Sequence, residues 1–258
     1  VDRALALNPH NAHAAHARAH VCYEGNTCEE GAAFLRSWLA DYDRTAQLHC
    51  HLSWHLALFE LALGRPERAW TLYDEHIRPV NSYASALITL SDSVSLLWRC
   101  RLWDKERGAV GWGELRDFAR RSFPAASVAF ADAHVVMACA ASGDRAGADA
   151  RVEELRRAER EGRQPAGRVA ADVAEAMAAF AQGDDDTVIR LLVPVLAELV
   201  RVGGSHAQRD VFEETLLGAY LRSGRLDAAG LLFSERLGRR PSARDRSWRP
   251  PFSPPPGS

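Results

Sequence analysis

The sequence predicts an all-α protein, a right-handed α-solenoid of stacked antiparallel helix pairs, and three observations predict it. Glycines recur in helix–turn–helix settings at Gly25, Gly64, Gly143, Gly183 and Gly224, at intervals of 39, 79, 40 and 41 residues. A fixed period of this length is the signature of a repeat architecture. Each glycine follows an apolar or amphipathic run and ends it, as a left-handed residue just past a helix does. Strand signals are missing: the chain has no sustained period-two alternation and no Asn-Gly or Asp-Gly hairpin.

The elements follow in order. Residues 2–9 read as the end of a helix from a partial pair. Full pairs are expected at about 11–41, 48–79, 82–123, 127–163, 166–203 and 205–241. The interval of 79 spans two periods, and the turn it skips should fall near residue 103, where LWRCRLWDKERG carries a degraded version. Asn26, Asp144 and Asp184 suit the starts of second helices. Five residues after each glycine stand Glu30, Ala69, Ala148, Val188 and Ala229, and nine after it Phe34, Tyr73, Val152, Leu192 and Phe233. Columns four apart share a helical face. A mostly small residue there lets the two helices approach, and a bulky one fills the space a turn later. The helical repeat domain thus covers 1–241, and SARDRSWRPPFSPPPGS (242–258) reads as a disordered Pro/Arg-rich tail.

Composition excludes several function classes. Hydrophobic residues make up 47 %, charged residues 26 % and the net charge is −2, so no global field favours nucleic acid or an acidic membrane surface. No apolar run approaches the roughly 18–20 residues a membrane span needs. Five cysteines, never spaced as CxxC, argue against a disulfide framework and a zinc ribbon. They point to a reducing cytoplasm. The opening at Val1 with DRALALNP leaves the partner of the first helix out of view, so an N-terminal portion is expected to be missing.

With the turn glycine, the small residue five later, the bulky residue four after that and the closing Pro79 and Pro241, the chain resembles tetratricopeptide repeats. NAHAAHARAHVCYEGNTCEEGAAFL, HCHLSWHLALFELALGRPERAWTLYDEHIRP and GGSHAQRDVFEETLLGAYLRSGRLDAAGLLFSERL resemble the tetratricopeptide repeat protein 38 family. That resemblance implies a helical solenoid lacking its N-terminal part here, and implies no catalytic residues and no cofactor. In the proteins it resembles, first helices line a concave surface.

HAAHARAH, residues 13–20, carries three histidines that lie within about 60° of one another on a helix. Nine residues before a turn glycine stand His16, His55 and His134; Ala174 and Thr215 take that place later. His20 lies one turn beyond His16, and His51 one turn before His55. Three readings follow. The imidazoles are packing groups bonded to neighbouring helices; or they line a concave groove for a peptide, protein partner or small ligand; or the two His-x-x-x-His pairs, His16/His20 and His51/His55, share a metal ion. HExxH is absent, which leaves no glutamate placed as a zinc-protease base. Ser205, His206 and Asp210 sit on one helix start and cannot adopt triad geometry. Cys50 points away from its neighbour His51. The tryptophans at 38, 54, 70, 98, 103 and 112 read as core, and the arginines at 236, 239, 240, 244, 246 and 249 as a solvated end. A binding or scaffold protein is the expectation ahead of an enzyme or metal-binding protein, with candidate site residues His16, His20, His51, His55 and His134.

Overall fold

A computed structural model describes residues 1–103 and 111–240. Among them it has thirteen α-helices and no strand, and no helix is long and apolar enough to cross a membrane. The tail assigned to 242–258 and residues 104–108 of the degraded turn near 103 lie outside the described residues. The chain divides into two compact units, Val1–Ser85 together with the chain from Arg225 onward, and Ala86–Gly224.

In the first unit α1 (Asp2–Leu7) precedes the pair α2 (Ala12–Glu24) and α3 (Cys28–Ala40), then α4 (Gln47–Ala62) and α5 (Pro66–Leu72), with α13 (Leu226–Arg239) from the far end of the sequence. Asn11, a cap the glycine period does not reveal, starts α2 by accepting from the Ala14 amide at 3.0 Å. α4 is the centre of the unit and buries Leu52, Trp54, Leu56, Phe59 and Leu61. Its buried Glu60 meets three arginines: Arg36, and Arg65 and Arg68 at 3.7 Å each. α5 loosens into a π turn at Tyr73–Ile77 just before Pro79, the expected closing proline. On α13, Ala229 and Phe233 are buried, and the Arg240 guanidinium lies 3.8 Å from the Tyr23 ring centre.

Four of the five turn glycines hold the left-handed conformation: Gly64 (φ 73°), Gly143 (84°), Gly183 (83°) and Gly224 (72°). Gly25 does not. It has φ −78°, and Asn26 takes the left-handed position at φ 56°, a conformation asparagine tolerates better than most residues. Asn26 is therefore not the cap of α3; Thr27 occupies that position. Every offset in the first pair consequently moves by one. Glu30 is exposed and Phe34 half-buried, while Gly31 and Leu35 are buried. A Cβ on Gly31 would lie 2.6 Å from the Phe59 ring, so here the small column has shrunk to no side chain at all. In the other pairs Ala69, Ala148, Val188 and Ala229 are fully buried as expected. Asp144 and Asp184 cap α9 and α11 by accepting from Gly147 and Thr187 amides.

The second unit runs α6 (Ala86–Trp103), α7 (Trp112–Ser122), α8 (Ala129–Ala141), α9 (Arg145–Arg160), α10 (Arg168–Gln182), α11 (Asp185–Leu192) and α12 (His206–Arg222). α11 tightens into a 3-10 segment at Val193–Val202, where Pro194 supplies no amide for the α ladder. The first helices pack on one another, α6 on α8, α8 on α10 and α10 on α12, and α12 returns to α6. They thus enclose a common interior. Trp98 donates its indole N–H to Thr215 Oγ1 at 2.9 Å. Arg99, 1 % exposed, pairs with Glu214 at 3.2 Å and donates to the Ala207 carbonyl at 2.9 Å.

Candidate metal centre

HAAHARAH folds as helix because alanine fills the positions between its histidines and Asn11 satisfies an amide at the start. A spacing of four puts His16 and His20 on one face of α2, and the same spacing puts His51 and His55 on one face of α4. α2 packs on α4, and the two faces meet. The ring centroids of His16 lie 4.6 Å from His20, 4.8 Å from His51 and 5.2 Å from His55. His55 is 4.6 Å from His20 and 4.8 Å from His51. Trp54 stacks on His51 at 5.4 Å and 10°, fixing that ring's plane. Trp54, expected from the sequence as core, is fully buried and also supports this site.

One nitrogen from each ring lies within 4.8 Å of the others. The Nε2 atoms of His20 and His51 stand 3.0 and 3.1 Å from Nε2 of His16. Four nitrogens around a tetrahedral zinc ion at 2.0–2.1 Å would be about 3.3 Å apart, so the two separations from His16 are already near that spacing. A neutral imidazole has one N–H and one lone pair. The Nε2 of His16 therefore cannot satisfy both neighbours by hydrogen bonding. His55 is fully buried, and neither of its ring nitrogens has a hydrogen-bond partner. Buried polar atoms left this way are uncommon, and a cation taking one lone pair from each ring would satisfy one nitrogen of every member of the cluster.

Electrostatics keep the lone pairs available. Burial, then repulsion from His51, His20 and His13, pulls His16 down to about 3. Burial and His51 lower His20, against a raising influence from Glu24. Burial holds His55 far below the usual imidazole range, reinforced by His51, His20 and His16. These three rings are neutral at pH 7, the form that binds metal. No carboxylate belongs to the cluster. An all-nitrogen set suits zinc, copper, nickel or cobalt and not the oxygen-seeking magnesium, calcium or manganese.

The structure brings together four of the five histidines singled out above and not the fifth. His16 and His20 are half-buried, while His51 and His55 are buried; the cluster sits in a packed helix interface. His134 belongs to the second unit, where it is fully buried between Phe130 and Phe212. Its Nδ1 bonds the Phe130 carbonyl at 2.7 Å and its Nε2 is unpartnered. Burial lowers it to about 4.

Other groupings offer less. His49 and His76 approach with centroids 5.0 Å apart, but they are only a pair. Ser205 and Gln208 form a capping box, the helix-start role that the sequence favoured over a triad. Cys50 donates to the Ile77 carbonyl at 3.8 Å, away from the cluster. A surface cleft in the second unit is lined by Glu153, Arg156, Glu175 and Arg190, and Arg156 is already committed to Asp172 at 2.7 Å and Glu175 at 2.6 Å. The buried Arg99–Glu214 pair escaped sequence reasoning altogether, since its partners are far apart in the chain. No protein-family model matches the chain and no solved structure matches it.

Proposed function

We propose that this protein is a metal-binding helical-repeat protein that holds one transition-metal ion at His16, His20, His51 and His55. The observation that carries the reading is the convergence of Nε2 atoms at 3.0 and 3.1 Å on His16, beside a buried His55 with both nitrogens unpartnered. The ion is of the nitrogen-seeking class, zinc or copper foremost. A purely packing role leaves those nitrogens unexplained, and a groove for a peptide or small ligand fits poorly with the burial of His51 and His55.

The fold reading that accompanies this is a tetratricopeptide-like α-solenoid related to the tetratricopeptide repeat protein 38 family. It is supported by the helix pairs, the left-handed turn residues and the buried small-residue column. A solenoid presents wide surfaces to protein partners, so a scaffold role can coexist with the metal centre.

The test uses the full chain, expressed without a histidine tag and dialysed against zinc, copper(I), nickel and magnesium. Metal analysis is expected to find one zinc or copper ion per chain and no retained magnesium. His16→Ala and His51→Ala should each weaken binding more than the roughly 10–100-fold typical of losing a supporting group around a metal. Equal metal uptake by wild type and both variants would overturn the reading.

A further inference from the structure

Resting on that metal-binding reading, we propose that the ion is a clamp between successive helix pairs, fixing α2 onto α4 when bound and releasing α2 when removed. Three observations carry this. The ligands divide two and two, His16 and His20 from α2 and His51 and His55 from α4, so one ion joins two helices at two points on each. A metal that gathers ligands from separate elements contributes its binding energy to holding those elements together.

The second observation is how little apolar area α2 buries, although it also packs on α3. Its buried residues are Ala14, Ala15, Ala19, Cys22 and Tyr23, and four of the five are small. Hydrophobic stabilisation scales with apolar area, so this helix gains far less than α4, which buries Leu52, Trp54, Leu56, Leu58, Phe59 and Leu61. The third is the content of the α2–α4 contact. Between the alanines it presents imidazole nitrogens to one another, with both nitrogens of the fully buried His55 unpartnered. Such groups oppose the contact when no ion is present and favour it when one is. The metal centre therefore joins α4 to a helix whose own apolar burial is mostly of small side chains. Loading orders α2 against α4; chelation returns it to a loosely held helix. The two states differ in the presentation of the whole α2–α3 hairpin, which makes metal availability the regulator of that surface.

Hydrogen exchange of the full chain read by mass spectrometry, after chelator treatment and after zinc addition, tests this. With free zinc at about 100 times its dissociation constant, opening of residues 12–24 should slow about 100-fold, with residues 129–182 unchanged. His16→Ala/His20→Ala alters only half-buried positions and should leave the helical circular-dichroism signal intact while abolishing the zinc effect. Zinc that binds with the expected stoichiometry but leaves exchange of 12–24 unchanged would overturn the clamp and leave the metal-binding reading standing. Absence of zinc and copper binding would sink both. Protection spread equally over both units, or persisting in the double variant, would also overturn the clamp.

Discussion

Nε2 of His16 and Nε2 of His51, 35 residues apart in the chain, lie 3.1 Å from each other across the α2–α4 contact. Burial, with repulsion from His51, His20 and His13, pulls the His16 imidazole down to about 3. That relationship sets the first expectation. In chelator, the buried imidazole of His55 is a liability, with two polar atoms lacking partners. His55→Leu should stabilise metal-free protein by about 1–2 kcal/mol, read as a higher denaturation midpoint, and erase any zinc-dependent stabilisation. A lower midpoint in chelator would show that His55 is satisfied by something else.

His134 should give the stability a distinct pH dependence. Its pKa falls from 6.5 to about 4 on folding, mainly through burial. Between those values the unfolded chain binds a proton that the folded chain refuses, so stability rises with pH across that window. The contribution is full above 6.5 and lost as pH falls towards 4, amounting to roughly 3 kcal/mol. Denaturant unfolding of wild type and His134→Leu at several pH values should show a flatter curve for the variant between pH 4 and 6.5. Parallel curves would mean that the ring is protonated in place.

Close approach of helices makes single methyl groups costly at chosen positions. Ala69→Leu and Ala229→Leu should each destabilise by about 1–3 kcal/mol through overpacking, since both sites are fully buried. Gly31→Ala should match them with one added carbon. Its Cβ would meet Phe59 at 2.6 Å and Cys22 at 2.9 Å, and Phe59 is itself fully buried. Thermal unfolding of the three variants checks this, and an unchanged Gly31→Ala would mean that α3 can slide away from α4.

Arg99 and Glu214 should behave as an interdependent pair. Both are 1 % exposed and 3.2 Å apart. Arg99→Met alone leaves a buried carboxylate without its guanidinium and should cost about 3–5 kcal/mol, whereas Arg99→Met with Glu214→Leu should recover most of that loss. Equal losses in the single and double variants would place the cost in packing and not in charge.

How much of this was legible in the sequence varies with the range of the interaction. Turn positions could be read because a left-handed corner demands glycine or asparagine, a requirement local to one residue. Ala69, Ala148 and Ala229 followed from counting forward from those corners. The same counting slipped in the first pair, where Gly25 and Asn26 are both able to turn the chain and only the backbone decides between them. The histidine pairs were visible as i, i+4 spacings. Their convergence followed from equal offsets before the turns of successive pairs, whereas Trp54 stacked on His51 is not contained in a one-dimensional pattern. The return of α12 to α6 was out of reach for the same reason: Trp98 and Thr215 are 117 residues apart, and on each helix alone they are an ordinary aromatic and an ordinary hydroxyl.

The make-up of the first unit fixes an order of events at the ribosome. Val1–Ser85 is joined there by a segment that begins at Arg225, while the whole of the second unit lies between. Synthesis therefore finishes residues 86–224 before α13 exists to cover its share of the first unit or before Arg240 can reach the ring of Tyr23. The nascent chain must wait, with its earliest helices incomplete, until its latest ones emerge. On the proposed metal-binding reading, an ion taken up by the four imidazoles translated within the first 55 residues would hold that waiting segment together.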